Sequence, residues 1–134
     1  GAKAPVQRTT AVTVEDGRSA AKALLGAHPT LDGLVCVNDL LAVGALEELR
    51  RQKIRVPDDV QVIGFDDQPL MDVIGLSTVR QPMDSFGNWA ADAMRRLLID
   101  RAVAPPSLVL PLSVVPRSTT RPSLPVKPRR SRGT

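Results

Sequence analysis

The chain has 134 residues, of which 43% are apolar and 24% are charged, a composition typical of a soluble globular protein. This length corresponds to one domain that is large enough to bury a core. The sequence contains no apolar stretch near the roughly 20 residues of a membrane-spanning helix, so we expect a soluble, cytoplasmic protein. The lone Cys36 excludes an internal disulfide, and its apolar surroundings, LVCVN, predict a buried, unreactive thiol.

The formal charge of +4 is unevenly distributed along the chain. Residues 121–134 contain five basic residues and no acid, whereas residues 1–120 contain 13 basic and 14 acidic residues, a net charge of about −1. The main part of the chain is therefore not a basic nucleic-acid-binding module. We divide the chain into a domain at 1–120 and a basic, proline-rich tail at 121–134, whose composition predicts disorder.

The first half of the sequence alternates strand and helix patterns. Residues 10–14 (TAVTV) predict a strand, and Asp16 is the expected N-cap of a helix over 17–25. Residues 33–37 (GLVCV) and 60–65 (VQVIGF) predict two further strands, both apolar enough to be buried. Between them, residues 40–52 predict a helix capped by Asn38 or Asp39. This order predicts an α/β fold in which a parallel sheet is flanked by helices.

The second half has a looser pattern. Residues 76–80 predict a short strand, and a helix capped by Asp84 or Ser85 is expected to continue to about residue 101. One face of this helix carries an apolar stripe formed by Phe86, Ala90, Ala93, Met94 and Leu97. Residues 108–116 (LVLPLSVVP) predict one or two short strands interrupted at Pro111, because a central strand tolerates proline poorly.

Two polar side chains directly follow predicted strands. Asn38 comes after the second strand, and Asp66 comes after the third, in the segment VIGFDDQP at 62–69. Ligands of open parallel sheets bind at the carboxyl ends of the strands, where an amide beside a carboxylate suits the hydroxyl or amine groups of a small molecule. The alternative is that Asn38 is only a helix cap and Asp66 only a turn residue.

Other chemistries have weaker support in the sequence. A phosphorelay receiver domain also has paired acids after a strand, but it requires an aspartate at the end of a later strand, and the run at 108–116 is followed by Arg117. A metal site could draw on Asp66, Asp67, Asp72 and His28, although their spacing matches no metal-binding motif. The sequence contains neither a glycine-rich phosphate loop nor a G-x-S-x-G motif. We therefore expect no enzymatic activity, cofactor or metal.

Four ordered motifs give the chain a family resemblance. They are GLVCVNDLLAVGALEELRRQKIRVPDDVQVIGFDD from residue 33, LSTVRQP at 76–82, FGNWAADAMRRLL at 86–98 and LPLSVVPRST at 110–119. Together they resemble the C-terminal part of the LacI/GalR family of bacterial transcriptional regulators. The resemblance implies part of a periplasmic-binding-protein-like, type I effector-binding core, with two α/β subdomains around a cleft for a sugar, nucleobase or related metabolite.

The resemblance also assigns binding residues. The cleft positions of the family correspond to Asn38 in VND, Asp66 in GFDD and Gln81 in VRQP. Asp66 would accept hydrogen bonds from ligand hydroxyls, Asn38 would donate and accept, and Gln81 would contact the ligand where the chain passes between subdomains. Asp67 is expected to fix the turn instead. Val12 lies where the family often has an aromatic stacking residue, so stacking of a sugar there is not expected.

The family resemblance further implies a homodimer. The helix after Asn38 is apolar nearly all round, so one of its faces can cover the sheet while another seeks a second partner. The interface of the family corresponds here to Val43, Leu46, Leu70 and Met71. The alternative is that this helix packs against another part of its own chain.

The resemblance begins well inside the core of the family. It implies that operator DNA is bound only through an N-terminal helix-turn-helix that the given sequence does not contain, and that the helix near 84–101 lacks the subdomain on which it would pack. We therefore expect the 134-residue chain to self-associate, to exchange a strand or helix, or to place this helix differently. The alternative function is that of a periplasmic-type sugar-binding protein without a DNA role.

Overall fold

The computed structural model describes residues 4–99 and 107–122. Helices and strands alternate along this part of the chain. In chain order they are α1 (Val14–Ala27), β1 (Gly33–Val35), α2 (Asp39–Arg51), β2 (Gln61–Ile63), α3 (Met71–Ile74), β3 (Thr78–Arg80), α4 (Met83–Leu98) and β4 (Ser113–Val115). This order confirms the predicted α/β fold.

The strand pairing places the carboxyl ends of three parallel strands on the same side of the fold. β1 and β2 are parallel, with Gly33 opposite Gln61, whereas β3 pairs antiparallel with β4. Two isolated parallel bridges, from Ile63 to Ser77 and from Asp66 to Arg80, place β3 alongside the course of β2. The carboxyl ends of β1, β2 and β3 therefore face the same side, where ligands of such sheets bind.

The predicted strand at 10–14 is wrong. Thr13 is the N-cap of α1, and its hydroxyl accepts a hydrogen bond from the backbone N–H of Asp16. The Asp16 carboxylate in turn accepts hydrogen bonds from the hydroxyls of Thr10 and Thr13. This reciprocal arrangement is close to a capping box, and its local hydrogen bonds override the β propensity of Val12 and Val14. Asp16 thus lies within the first turn of the helix rather than at its cap.

The other boundaries differ by a few residues from those predicted. Of the two candidate caps of α2, Asn38 is the one used, because its Oδ1 accepts from the Leu41 N–H at 2.9 Å. The helix predicted from Asp84 or Ser85 begins at Met83 without a side-chain cap, and its predicted end near residue 101 lies outside the described residues. Residues 107–112 form no strand, and residues 123–134 of the predicted tail are also outside the described part.

The core lies between helices α1 and α2 and the β1–β2 sheet. Its buried residues are Ala21, Leu25, Leu34, Ala42, Ala45, Leu49, Val60, Val62, Met71 and Leu76. Helices α1 and α2 pack closely because glycines lie at their contact. A Cβ on Gly44 would collide with the carbonyl of Val14, and one on Gly17 would collide with the backbone of Leu41.

The buried carboxylate of Asp39 links helix α2 to strand β3. Asp39, in the first turn of α2, is completely buried. Its Oδ1 accepts a hydrogen bond from the Thr78 hydroxyl of β3 at 2.6 Å, and its Oδ2 accepts from the Gln68 N–H at 2.8 Å. A buried charge is tolerated only when such partners satisfy it, and the N-terminus of a helix also favours negative charge.

Helix α4 contributes nothing to this core. None of its residues is buried, and apolar side chains of its predicted stripe are exposed to solvent, Phe86 and Met94 at 56% each. An exposed amphipathic face of this kind is typical of an element that packs on a further partner.

Replacing Gly44 by alanine should test the close contact of α1 and α2. Alanine favours helix formation over glycine, but here its methyl group must displace the backbone of α1, so we expect a loss of about 1–3 kcal/mol in the free energy of unfolding. Gly26 is also helical, but a Cβ added there would meet no other atom within 4 Å, so Gly26→Ala should raise that free energy by up to about 1 kcal/mol. Urea denaturation followed by circular dichroism measures both; a stabilised Gly44→Ala variant would contradict the packing.

Substitution of Asp39 should test its linking role. Asp39→Ala leaves the Gln68 N–H and the Thr78 hydroxyl without their acceptor, so we expect a loss of about 2–4 kcal/mol in the free energy of unfolding. Asp39→Asn keeps the shape and one acceptor oxygen and should lose less than the alanine variant. Chemical denaturation provides the comparison, and an alanine variant as stable as the parent chain would show that these hydrogen bonds do not hold the fold.

Candidate functional site

Asn38 serves as a helix cap and still presents a polar group at the sheet edge. Its Oδ1 is occupied by the Leu41 N–H. Its Nδ2 has no hydrogen-bond acceptor among residues 4–99 and 107–122, and the residue is only half-buried. The cap and a ligand-binding role are therefore compatible, because they use different atoms of the same amide.

The structure brings Asp66 and Gln81 together. Gln81 follows β3, and its Nε2 donates a hydrogen bond of 2.7 Å to Asp66 Oδ1. The backbone N–H of Asp66 donates to the carbonyl of Val79 at 2.9 Å, which fixes the turn beside β3. Among the described residues, no donor occupies Asp66 Oδ2, so this oxygen can accept a hydrogen bond from a ligand.

Asp67 has different surroundings from its neighbour. Its two oxygens accept hydrogen bonds from Arg80 Nε at 2.6 Å and Arg117 Nη2 at 2.7 Å, and its side chain is 9% exposed. Desolvation raises the pKa of this carboxyl, but the hydrogen bonds from Arg117 and Arg80 outweigh it, so the pKa lies below its usual value. Both oxygens of Asp67 are thus occupied by arginines of the same chain.

Two residues that hold this edge were not singled out as functional from the sequence. The sequence identifies Asp39 only as an alternative cap, because an acid before the apolar LLAVGAL indicates a helix start and aspartate is rarely fully buried. For Arg117, the sequence indicates only that an aspartate is missing where a receiver domain requires one. Arg117 lies 50 residues from Asp67 in the sequence, and no local pattern predicted that pair.

The four residues assigned to an interface have unequal exposure. Val43 and Leu46 are half-buried and pack against the core, and Met71 belongs to the core with 4% exposure. Leu70, by contrast, is 65% exposed and adopts a left-handed backbone conformation, with φ of 78°. Leu70 therefore offers most of the accessible apolar surface in this set.

A cavity of about 520 Å³ lies away from these polar residues, between the extended segment 5–9, helix α1 and strand β1. Its lining includes Leu24, Leu34 and Cys36, but none of Asn38, Asp66 and Gln81. Burial raises the pKa of the Cys36 thiol to about 11, with a smaller contribution from the charge of Asp39, so the thiol is protonated at neutral pH. The cavity is mainly apolar, whereas the polar groups converge at the strand ends.

Neither a membrane span nor a metal cluster is found in the described part of the chain. None of its helices has the length and apolar character needed to cross a bilayer. Within residues 4–99 and 107–122, no three histidine, cysteine, aspartate or glutamate side chains come together as a metal site.

Comparison with known proteins identifies the relatives of this fold. A family model described as a periplasmic binding protein-like domain matches residues 2–120. The ribose operon repressor of Bacillus subtilis (strain 168) is 33% identical over 118 residues, which cover 87% of this chain and 36% of the repressor. The HTH-type transcriptional regulator MalR of Streptomyces coelicolor is 42% identical over 80 residues, or 58% of this chain and 23% of that protein. The chain thus spans about a third or less of these relatives.

Solved structures give the same assignment. A LacI family transcriptional regulator from Arthrobacter sp. FB24, in complex with lactose, has a TM-score of 0.71 and 36% identity over 81% of this chain and 42% of its own. A complex of the transcriptional regulator CelR with cellobiose has a TM-score of 0.74 and 29% identity over 80% of this chain and 33% of its own. The chain therefore belongs to the LacI/GalR family of transcriptional regulators, as the C-terminal part of its periplasmic-binding-protein-like effector domain.

Proposed function

We propose that this chain forms one side of the effector site in a DNA-binding transcriptional regulator that responds to a sugar or related metabolite. The observation that carries the proposal is the direct contact of Asp66 with Gln81 at the strand edge that also carries Asn38. The relatives support a sugar as the effector class, because structures of two of them are complexes with lactose and cellobiose. The proposed activity is binding, without catalysis or a cofactor.

The chemistry of the three side chains suits a polyhydroxylated ligand. The free oxygen of Asp66 would accept a hydrogen bond from a sugar hydroxyl, and this bond would be strong because the acceptor is charged. Asn38 Nδ2 would donate to a neighbouring hydroxyl oxygen. Gln81 would bridge ligand and protein, because its Nε2 already donates to Asp66 while its side-chain Oε1 has no donor within residues 4–99 and 107–122.

Regulation requires a second ligand, which is operator DNA. The names of the relatives include an operon repressor and an HTH-type regulator, so DNA binding in the complete protein would belong to a helix-turn-helix domain N-terminal to this chain. Effector and operator would then bind with a reciprocal coupling free energy. The names favour this function over that of a sugar-binding protein without a DNA role.

We also propose a homodimer that uses Val43, Leu46, Leu70 and Met71. The exposed Leu70 would make the main contact, and the half-buried Val43 and Leu46 would extend it along α2. Met71 would support this surface from the core. The contact would be self-complementary, as in two-fold dimers generally.

Asp66→Asn should separate a binding role from a structural one. The amide keeps the size of the side chain but removes its charge, so we expect sugar affinity to fall by about 10- to 100-fold, the value of a hydrogen bond to a charged group. The measurement is a thermal-shift titration of the full-length gene product against ribose, lactose, cellobiose and nucleobases. The sugar that stabilises the parent protein is then titrated into the variant.

Asp72→Asn is the matched control for this experiment. Asp72 is an exposed acid six residues away, outside the strand edge, and its replacement should leave the affinity unchanged. Undiminished binding by Asp66→Asn would refute the assignment of the site. An absence of any thermal shift with all the sugars and nucleobases would contradict the proposed ligand class.

A further inference from the structure

The turn that carries the candidate site has an unusual backbone. Asp66 and Asp67 both have positive φ angles, 112° and 57°, a region that residues other than glycine rarely adopt. Such conformations persist only where the surroundings over-determine them. The contacts that hold this turn therefore also decide where the Asp66 carboxylate points.

At this turn, two adjacent acids accept hydrogen bonds from two adjacent residues of β3 and its end. Arg80 binds Asp67, and the next residue, Gln81, binds Asp66, with distances of 2.6 and 2.7 Å. The backbone bridge between Asp66 and Arg80 fixes the same register. The ion pair on one acid and the hydrogen bond on the other are consequently parts of one arrangement, in which a shift of Asp67 relative to β3 would also displace Asp66 relative to Gln81.

Arg117, in the segment after β4, binds both the turn and the residues just before β3. Its Nη2 donates to Asp67 and its Nη1 donates to the carbonyl of Leu76, both at 2.7 Å. Its backbone N–H donates to the hydroxyl of Ser77, also at 2.7 Å. The Arg117 side chain is only 16% exposed, and its planar guanidinium holds two acceptors in fixed directions, which a lysine could not do. The start of β3 and the turn are thus tied by one side chain.

We propose that Asp67 and Arg117 are positioning residues of the effector site, which hold the Asp66–Asp67 turn in the conformation that directs the Asp66 carboxylate to Gln81. Neither residue contacts the effector in this role. The proposal rests on the proposed function of Asp66, but its geometric part concerns the chain alone. The two can therefore fail separately.

The geometric part is tested by NMR on the 134-residue chain. The side-chain amide protons of Gln81 report directly on the bond to Asp66, and Asp66→Ala supplies the spectrum in which that bond is absent. In Asp67→Asn and Arg117→Met we expect the Gln81 amide signals to move to their positions in Asp66→Ala. Loss of the bond should also make the exchange of these protons with solvent about tenfold faster.

Asp59→Asn is the control for the loss of an ion pair as such. Asp59 accepts two hydrogen bonds from the guanidinium of Arg55, at 2.6 and 3.0 Å, away from the strand edge. This variant should leave the Gln81 signals unchanged. Unchanged Gln81 signals in a folded Asp67→Asn variant would overturn the proposal, because a merely structural ion pair would alter stability without moving them.

If Asp67→Asn does not fold, the Arg80→Met variant tests the positioning role instead. The Arg80 side chain is 55% exposed, so its removal takes one partner from Asp67 without opening the core. Because Arg80 directly precedes Gln81, only movement of the Gln81 signals to their positions in Asp66→Ala would support the proposal. Parental Gln81 signals in both Arg80→Met and Arg117→Met would overturn it.

The functional part is tested by sugar titration of the full-length gene product. We expect Asp67→Asn to lose affinity together with Asp66→Asn, while Asp59→Asn retains it. If Asp66→Asn weakens binding but a folded Asp67→Asn binds the sugar as the parent protein does, the positioning role fails and the proposed function survives. If Gln81 moves as expected but neither variant changes sugar affinity, the assignment of the effector site fails, and the positioning of an effector site fails with it.

Discussion

The buried carboxylate of Asp39 is the constraint on which the arrangement of this chain depends. It is completely enclosed, and its two oxygens bind the hydroxyl of Thr78 in β3 and the backbone of Gln68 after β2. Because a buried charge without partners is costly, α2, the turn and β3 must stay together. Asn38 precedes Asp39 directly, so the residue that holds these elements also fixes the candidate binding group next to it.

The consecutive acids at the end of the third predicted strand have separate roles in this arrangement. Asp67 accepts hydrogen bonds from Arg80 and Arg117, whereas Asp66 accepts one from Gln81 through Oδ1 and has no donor on Oδ2 in the described part of the chain. Both acids have positive φ angles, and their side chains have different partners. A turn that is restrained by an ion pair on one residue can thus present a carboxylate from the next one with little conformational freedom to lose on binding, which favours affinity.

The sequence predicted those features that depend on local patterns. Apolar runs and caps identified the two parallel strands and α2, and the amide of Asn38 was among the expected caps. The prediction of a strand at 10–14 was wrong because the hydroxyl of Thr13 and the carboxylate of Asp16 start a helix there. β propensity takes no account of such capping hydrogen bonds. Family resemblance assigned Asp66 and Gln81 to one cleft, but it did not predict the hydrogen bond between them. The pair of Asp67 with Arg117 was missed because long-range contacts leave no periodic signal.

Hydrogen–deuterium exchange of the full-length gene product, with and without the sugar that stabilises it, tests most directly whether Asn38, Asp66 and Gln81 form one effector site. We expect slower exchange on sugar binding in the segments 36–42, 64–69 and 78–82, because all three carry groups at the same strand edge. Protection confined to residues 5–9 and 20–24, which border the apolar cavity, with no change in those three segments, would contradict this account.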